Sequence, residues 1–244
     1  MRGSDVPLVL VPRELVPIVE ALAIISAKPL PPYALIGGMA VNIRLAAAGP
    51  LHRATADVDL VVDDGVPTAA QILTGGGPEA IVIDGVKVDI IQTEPLTDED
   101  LDGLNDGPAL FVAGHRFALA TARPLRLSTA GGRAVMLPVA TPAGLVAAKS
   151  HALGYARAQR RQTKGPGDHY DVFRLLEVFD ARGDVRTALG AAPDRLRHII
   201  ADVLTASILR APARAAATMR VPAGHVIEAA HVFDVIEPVA DALR

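Results

Sequence analysis

Asp57-Val58-Asp59-Leu60-Val61-Val62 is the stretch on which the reading of this chain turns. It alternates polar and apolar and then runs apolar, which is the pattern of a strand that becomes buried on both faces. Side chains two apart in a strand point to the same face, so Asp57 and Asp59 project side by side. Two such carboxylates repel unless a cation lies between them. A hard cation with oxygen ligands suits them: magnesium above all, with manganese as its substitute. Paired metals are also a common solution for in-line displacement at phosphorus. An isolated Asp-x-Asp arises by chance on solvated strands, so the flanking sequence has to decide.

Upstream, Tyr33-Ala34-Leu35-Ile36 is a short apolar run between Pro31-Pro32 and Gly37-Gly38, the form of a buried strand. Met39 to Ala48 is rich in Ala and Leu, which predicts a helix stopped near Gly49-Pro50. Gly37 and Gly38 thus follow a strand and open a helix, where backbone amides receive a phosphate without side-chain interference. Downstream, Ala80–Ile83 and Val86–Ile91 are joined by Asp84-Gly85, a strong hairpin signal. Asp89 lies at the centre of the second run; it is either paired or metal-bound, or it faces solvent on an alternating strand. Residues 94–107 read as an acidic loop or short helix, and Leu125–Ser128 with Ala134–Leu137 as a second hairpin across Gly131-Gly132.

From Thr141-Pro142 the character becomes helical, proline being favoured in a first turn. A long helix runs from Leu145 to about Arg161 with Lys149 on its inner face, and Gly165-Pro166-Gly167 breaks it. Another helix starts near Asp168 and runs to Phe179, and residues 184–244 read as short Ala/Leu/Val helices. The expected fold is α/β (α+β), with a small mixed sheet and flanking helices over 1–140 and a helical part over 141–244.

Half of the 244 residues are apolar, aromatics make up 3 %, and tryptophan and cysteine are absent. The core is therefore aliphatic, and disulfides, thiol catalysis and Cys-ligated zinc are excluded. His52, His115, His151 and His169 show no zinc-ligand spacing, and Gly75-Gly76-Gly77 lacks the lysine of a phosphate loop. No signal peptide core and no spanning helix is apparent, so the expectation is a soluble cytoplasmic protein. The net charge of −3 hides an asymmetry: residues 1–120 hold 7 Lys+Arg against 16 Asp+Glu, and residues 121–220 hold 16 against 7. That distribution suits metal chemistry in the first half and a polyanion in the second, or else arginine-rich solvated helices.

Gly37-Gly38-Met39-Ala40 followed by Arg53-Ala54-Thr55-Ala56-Asp57-Val58-Asp59-Leu60 resembles the nucleotidyltransferase superfamily, and within it the AbiEii-type enzymes, many of them toxins of type IV toxin–antitoxin systems. Downstream, Ala148-Lys149-Ser150-His151 and the stretch from Arg160 through Lys164, Asp168 and Tyr170-Asp171 to Leu176 is similar to the family's second block. The likeness covers roughly 33–180, and Gly165-Pro166-Gly167 separates Lys164 from Asp168 where the family has its basic residue and aspartate adjacent.

The resemblance implies a nucleotidyltransferase-like fold, magnesium, and transfer of a nucleoside monophosphate from a nucleoside triphosphate. It implies that Asp57 and Asp59 hold metal against the phosphates, with Asp89 a third ligand or the base that takes the acceptor's proton. Gly37, Gly38, Arg53, Thr55, Lys149 and Asp168 would contact the nucleotide, and Asp171 would orient Lys149 or touch the nucleotide. Each has a plainer reading: Lys149 a snorkelling lysine, Thr55 a brace for the strand, Asp168 and Asp171 a helix cap and first-turn acid. Family analogy makes RNA, tRNA in particular, the acceptor, with Arg157, Arg160, Arg161 and Lys164 as its docking patch and a cognate antitoxin as partner. A small-molecule acceptor of the aminoglycoside type, or a non-catalytic nucleotide-binding module, are the alternatives.

Overall fold

The computed structural model describes residues 6–46, 55, 57–63, 81–93, 97–158 and 165–244. They form a mixed α/β protein that divides into two compact units. One comprises 1–94 with 119–141 and contains the sheet; the other comprises 95–118 with 142–244 and is helical. The helical unit thus takes in 95–118, which the sequence had assigned to the sheet. The reason lies in the helix that starts at Asp106: Ala109, Leu110 and Ala113 form an apolar stripe at helical spacing, and all three are buried. Among the described residues no helix is long and apolar enough to cross a membrane.

In the sheet unit, β1 (Leu8–Leu10) precedes helix α1 (Val16–Ser26), and β2 (Tyr33–Ile36) runs directly into α2 (Gly37–Leu45). Then come β3 (Asp57–Val62), β4 (Ile81–Ile83), β5 (Val86–Gln92), β6 (Arg123–Ser128) and β7 (Ala134–Val139). Together they make a seven-stranded sheet in the order β1-β6-β7-β2-β3-β5-β4. The neighbours β2–β3, β4–β5 and β6–β7 are antiparallel; β1–β6, β2–β7 and β3–β5 are parallel. Both expected hairpins form. Asp84 and Gly85 adopt φ of 48° and 78°, the left-handed pair that a tight hairpin turn requires. Val58, Leu60 and Val62 are fully buried on one face of β3, while Asp57 and Asp59 lie on the other.

In the helical unit, α3 (Asp98–Asp102) begins with a reciprocal cap: the Thr97 hydroxyl accepts from the Asp100 amide, and the Asp100 carboxylate accepts from the Thr97 amide. Helices α4 (Asp106–Thr121), α5 (Pro142–Ala158), α6 (Gly165–Phe179), α7 (Asp184–Gly190) and α8 (Asp194–Leu204) follow. A π-helical turn, Thr205–Leu209, continues α8, and α9 (Pro212–Ala223) and α10 (Ala229–Ala242) complete the chain. The long helix starts at Pro142 as expected. Gly165-Pro166-Gly167, expected to be a break, is instead the first turn of α6, so that helix begins three residues before Asp168. Proline is compatible there because first-turn amides have no partner within the helix.

Candidate metal centre

Strands β3 and β5 run side by side in parallel, and their register sets Asp59 opposite Asp89 and Asp57 opposite Lys87. The alternation of the two strands puts all four side chains on one face. The carboxylate oxygens of Asp57, Asp59 and Asp89 lie within 4.8 Å of one another, and each residue is half-buried. Of the two readings of Asp89, this favours a place beside Asp57 and Asp59 over an unconnected solvent-facing position. Three carboxylates so close can hold a divalent cation. Magnesium–oxygen bonds of about 2.1 Å put opposite ligands of one ion about 4.2 Å apart. Oxygens within 4.8 Å of one another are therefore near the span that a divalent ion would need, and Asp57, Asp59 and Asp89 would be the residues to hold it.

The surroundings fit such a group. Antiparallel pairing sets Ile36, the last residue of β2, opposite Asp59, and α2 begins at the next residue. Gly37 has φ of +69°, and a Cβ placed on it would stand 1.8 Å from Asp59 Oδ2. The backbone thus rests against the carboxylate at a distance only glycine permits, in a conformation that L side chains rarely adopt. The N-cap residue of α2, Ile36, makes no side-chain cap hydrogen bond, and the helix starts beside Asp59. Gly38 is buried on the same turn. The Thr55 hydroxyl donates to Asp57 Oδ1 at 3.0 Å and fixes that carboxylate's rotamer. The brace read for Thr55 in the sequence is therefore present.

Lys87 joins the same group. Its ammonium lies 2.7 Å from Asp89 Oδ2, with the two side chains 55 % and 40 % exposed. The hydrogen bond to Asp89 holds the ammonium pKa above the ordinary lysine value; desolvation opposes this, and the charges of Asp89, Asp57 and Asp59 add to it. The sequence reading passed over Lys87, although its place two residues before Asp89 on an alternating strand is the signal that would have found it.

In the helical unit, Leu145, Lys149 and Leu153 follow one another at four-residue spacing, so Lys149 belongs to the buried stripe of α5. An unpaired ammonium is costly there. Two carboxylates from α6 meet it, Asp168 Oδ1 at 2.7 Å and Asp171 Oδ2 at 2.9 Å. Burial alone would lower the lysine's pKa; Asp171 first and then Asp168 reverse that and hold it above its ordinary value. Lys149 is therefore an ion-paired interior group rather than a snorkelling one. Asp168 occupies the first turn of α6, not its cap. The Asp171 side chain is fully buried beside the Lys149 ammonium.

Close to Lys149 in sequence, His151 forms a ring cluster with Phe111 and His115, centroids 4.9 and 6.1 Å away. The His115 Nδ1 lies 2.7 Å from the Phe111 carbonyl, to which it can donate. Burial first and then the charge of His115 push the His151 pKa down to about 4, and burial lowers that of His115. Arg53, Arg160, Arg161 and Lys164 lie outside the described residues, as do His52, Gly75-Gly76-Gly77 and the side chain of Arg157. Comparison of the chain with protein-family models, curated proteins and solved structures finds no match to any of them.

Proposed function

We propose that this chain is a magnesium-dependent nucleotidyltransferase. One observation carries the reading: Asp57, Asp59 and Asp89 stand within ligand range of one another on neighbouring strands, with Gly37 at the start of α2 pressed against Asp59. In this reading Asp57 and Asp59 hold the metal and Asp89 completes the set. The first amides of α2, from Gly37 and Gly38, receive phosphate oxygens. Thr55 keeps Asp57 in its ligating rotamer. When bound, the metal draws negative charge from the phosphates as it develops in the reaction. The acceptor's hydroxyl oxygen bonds to the α-phosphorus, the bond from that phosphorus to the bridging oxygen breaks, and pyrophosphate leaves. The acceptor's proton passes to a base, a role that Asp89 would serve in place of ligating the metal.

The likeness to AbiEii-type toxins adds an RNA acceptor with a cognate antitoxin partner; Lys149, closed in the interior by Asp168 and Asp171, takes no part in this reading. The excess of 16 Lys+Arg over 7 Asp+Glu in residues 121–220 supports RNA over a small molecule, because RNA is held largely through its phosphates. The test is incubation of the purified protein with each labelled triphosphate, magnesium and total RNA. The expected result is magnesium-dependent labelling of RNA that is lost in Asp57→Asn and Asp59→Asn, both variants remaining folded. Labelling that persists in either variant sinks the metal role. Labelling of an added aminoglycoside, with none of RNA, replaces the acceptor.

A further inference from the structure

We propose that Lys87 is the resident counter-cation of the carboxylate triad, and that a divalent metal enters by exchanging with its ammonium at Asp89. The inference rests on the metal-binding reading of Asp57, Asp59 and Asp89 and goes beyond it, because it names what a metal has to displace. Three carboxylates whose oxygens lie within 4.8 Å of one another carry a charge that some cation must balance before metal arrives. Among the described residues Lys87 supplies such a cation, at Asp89. It shares the carboxylate face, its Cα is partnered with that of Asp57, and its ammonium rests on Asp89. Asp89 is two residues along the strand, about 6.6 Å, which the four-carbon stem of a lysine spans.

The exposure of the pair makes exchange easy. With side chains 55 % and 40 % exposed, the Lys87–Asp89 contact is of the weakly held kind. A divalent ion reaching all three carboxylates carries twice the charge and outcompetes it. The buried Lys149 is the contrasting case. Its two carboxylate partners are 12 % and 0 % exposed, and that ion pair stays closed. Lys87 therefore acts as a positioning residue: it keeps Asp89 turned toward the triad in the metal-free protein and weakens the binding of the first ion.

The experiment is titration of the full chain with Mn2+, read by electron paramagnetic resonance of the free ion, with no nucleotide present. The proteins are the wild type, Lys87→Met, Lys87→Gln, Lys87→Arg, Asp89→Asn and the Lys87→Met/Asp89→Asn double variant. Lys87→Met and Lys87→Gln are expected to bind Mn2+ about two- to fivefold more tightly than wild type, the worth of an exposed ion pair. Lys87→Arg should stay near wild type. In the Asp89→Asn background Lys87→Met should bring no gain, because the contact it relieves is already gone. An equal gain in both backgrounds marks a general charge effect and overturns the exchange, as does weaker or unchanged binding in Lys87→Met. Mn2+ binding that is absent from wild type and from Lys87→Met alike overturns the metal reading itself. Binding that emerges only when Lys87 is removed supports the exchange in its strongest form.

Discussion

Replacing Gly37 by alanine tests the link between fold and site, and the structure supplies its own control. The new methyl group would lie 1.8 Å from Asp59 Oδ2, 2.6 Å from its Cγ and 2.8 Å from its Cβ. An ordinary contact is about 3.5 Å, so the carboxylate has to retreat by about 1.7 Å. Magnesium requires oxygens at about 2.0–2.1 Å in near-octahedral array, and an oxygen displaced that far is no longer a ligand. The expected loss of metal affinity is about ten- to a hundredfold, the range seen when ligand positioning is disturbed. Alanine at φ of +69° also strains the backbone, at about 1–2 kcal/mol. Gly85 has φ of +78°, and a Cβ there meets nothing within 4 Å. Gly85→Ala therefore carries a similar strain with no intrusion on the site. Both variants should melt a few degrees lower, about 2–4 °C per kcal/mol for a chain of this size. Only Gly37→Ala should lose Mg2+ or Mn2+ binding in a calorimetric titration. Equal metal affinity in the two would refute the argument that Gly37 is present to make room for the Asp59 carboxylate.

Lys149→Met should destabilise the protein by about 3–5 kcal/mol in urea unfolding, since it leaves Asp168 and Asp171 facing each other in the interior. A loss no larger than that of Asp168→Asn would show that the three charges do not act as a unit. The histidine cluster predicts an acid limb. His151 has a folded-state pKa of about 4 against an ordinary 6.5, so the folded protein binds fewer protons, and stability falls as pH drops from about 6.5 toward 4. His151→Phe should flatten that limb in pH-dependent thermal melts, and an unchanged slope would assign the acid sensitivity elsewhere. For the acceptor, charge reversal at Arg157 and Arg160 should weaken RNA binding and RNA labelling while sparing triphosphate binding. Acceptor affinity that is insensitive to salt would eliminate the basic segment as a docking surface.

Much of the sheet was legible because its signals are local. Tyr33–Ile36 is bounded by proline and glycine, and the Asp84-Gly85 turn forces the left-handed geometry that makes β4 and β5 a hairpin. Asp57 and Asp59 follow from strand alternation alone. The approach of Asp89 does not, because it depends on β3 pairing in parallel with β5 rather than with β4, the next strand in sequence. Helix α1 is masked in the sequence by the prolines around its start, Pro12 and Pro17. Pro17 sits in the first turn, where no amide is required of it. The helix over 106–121 was hidden by Gly107, Pro108 and Gly114, whose poor propensity is overridden by the burial of Leu110 and its neighbours. That Lys149 meets Asp168 and Asp171 was foreshadowed by the inward position of Lys149 at its four-residue spacing. The pairing of Lys87 with Asp89 is local and follows the two-residue period of the strand.

The strand order bears on how the protein is made. Of the described strands β1 comes earliest in the chain, yet its sheet neighbour is β6, which is separated from it by more than a hundred residues. Between them the chain leaves the sheet unit for 95–118 and returns. Leu8 and Leu10 stay largely solvent-exposed even in the finished sheet, so during synthesis they gain no early burial to hold them. The N-terminal strand must therefore wait for the last hairpin, β6–β7, to be translated before it can dock. A fragment ending at residue 94 would carry β1 without its partner strand and β2 without its β7 neighbour. Long-range closure of this kind slows folding, and it leaves a short apolar strand exposed to association with other chains while the rest is being made.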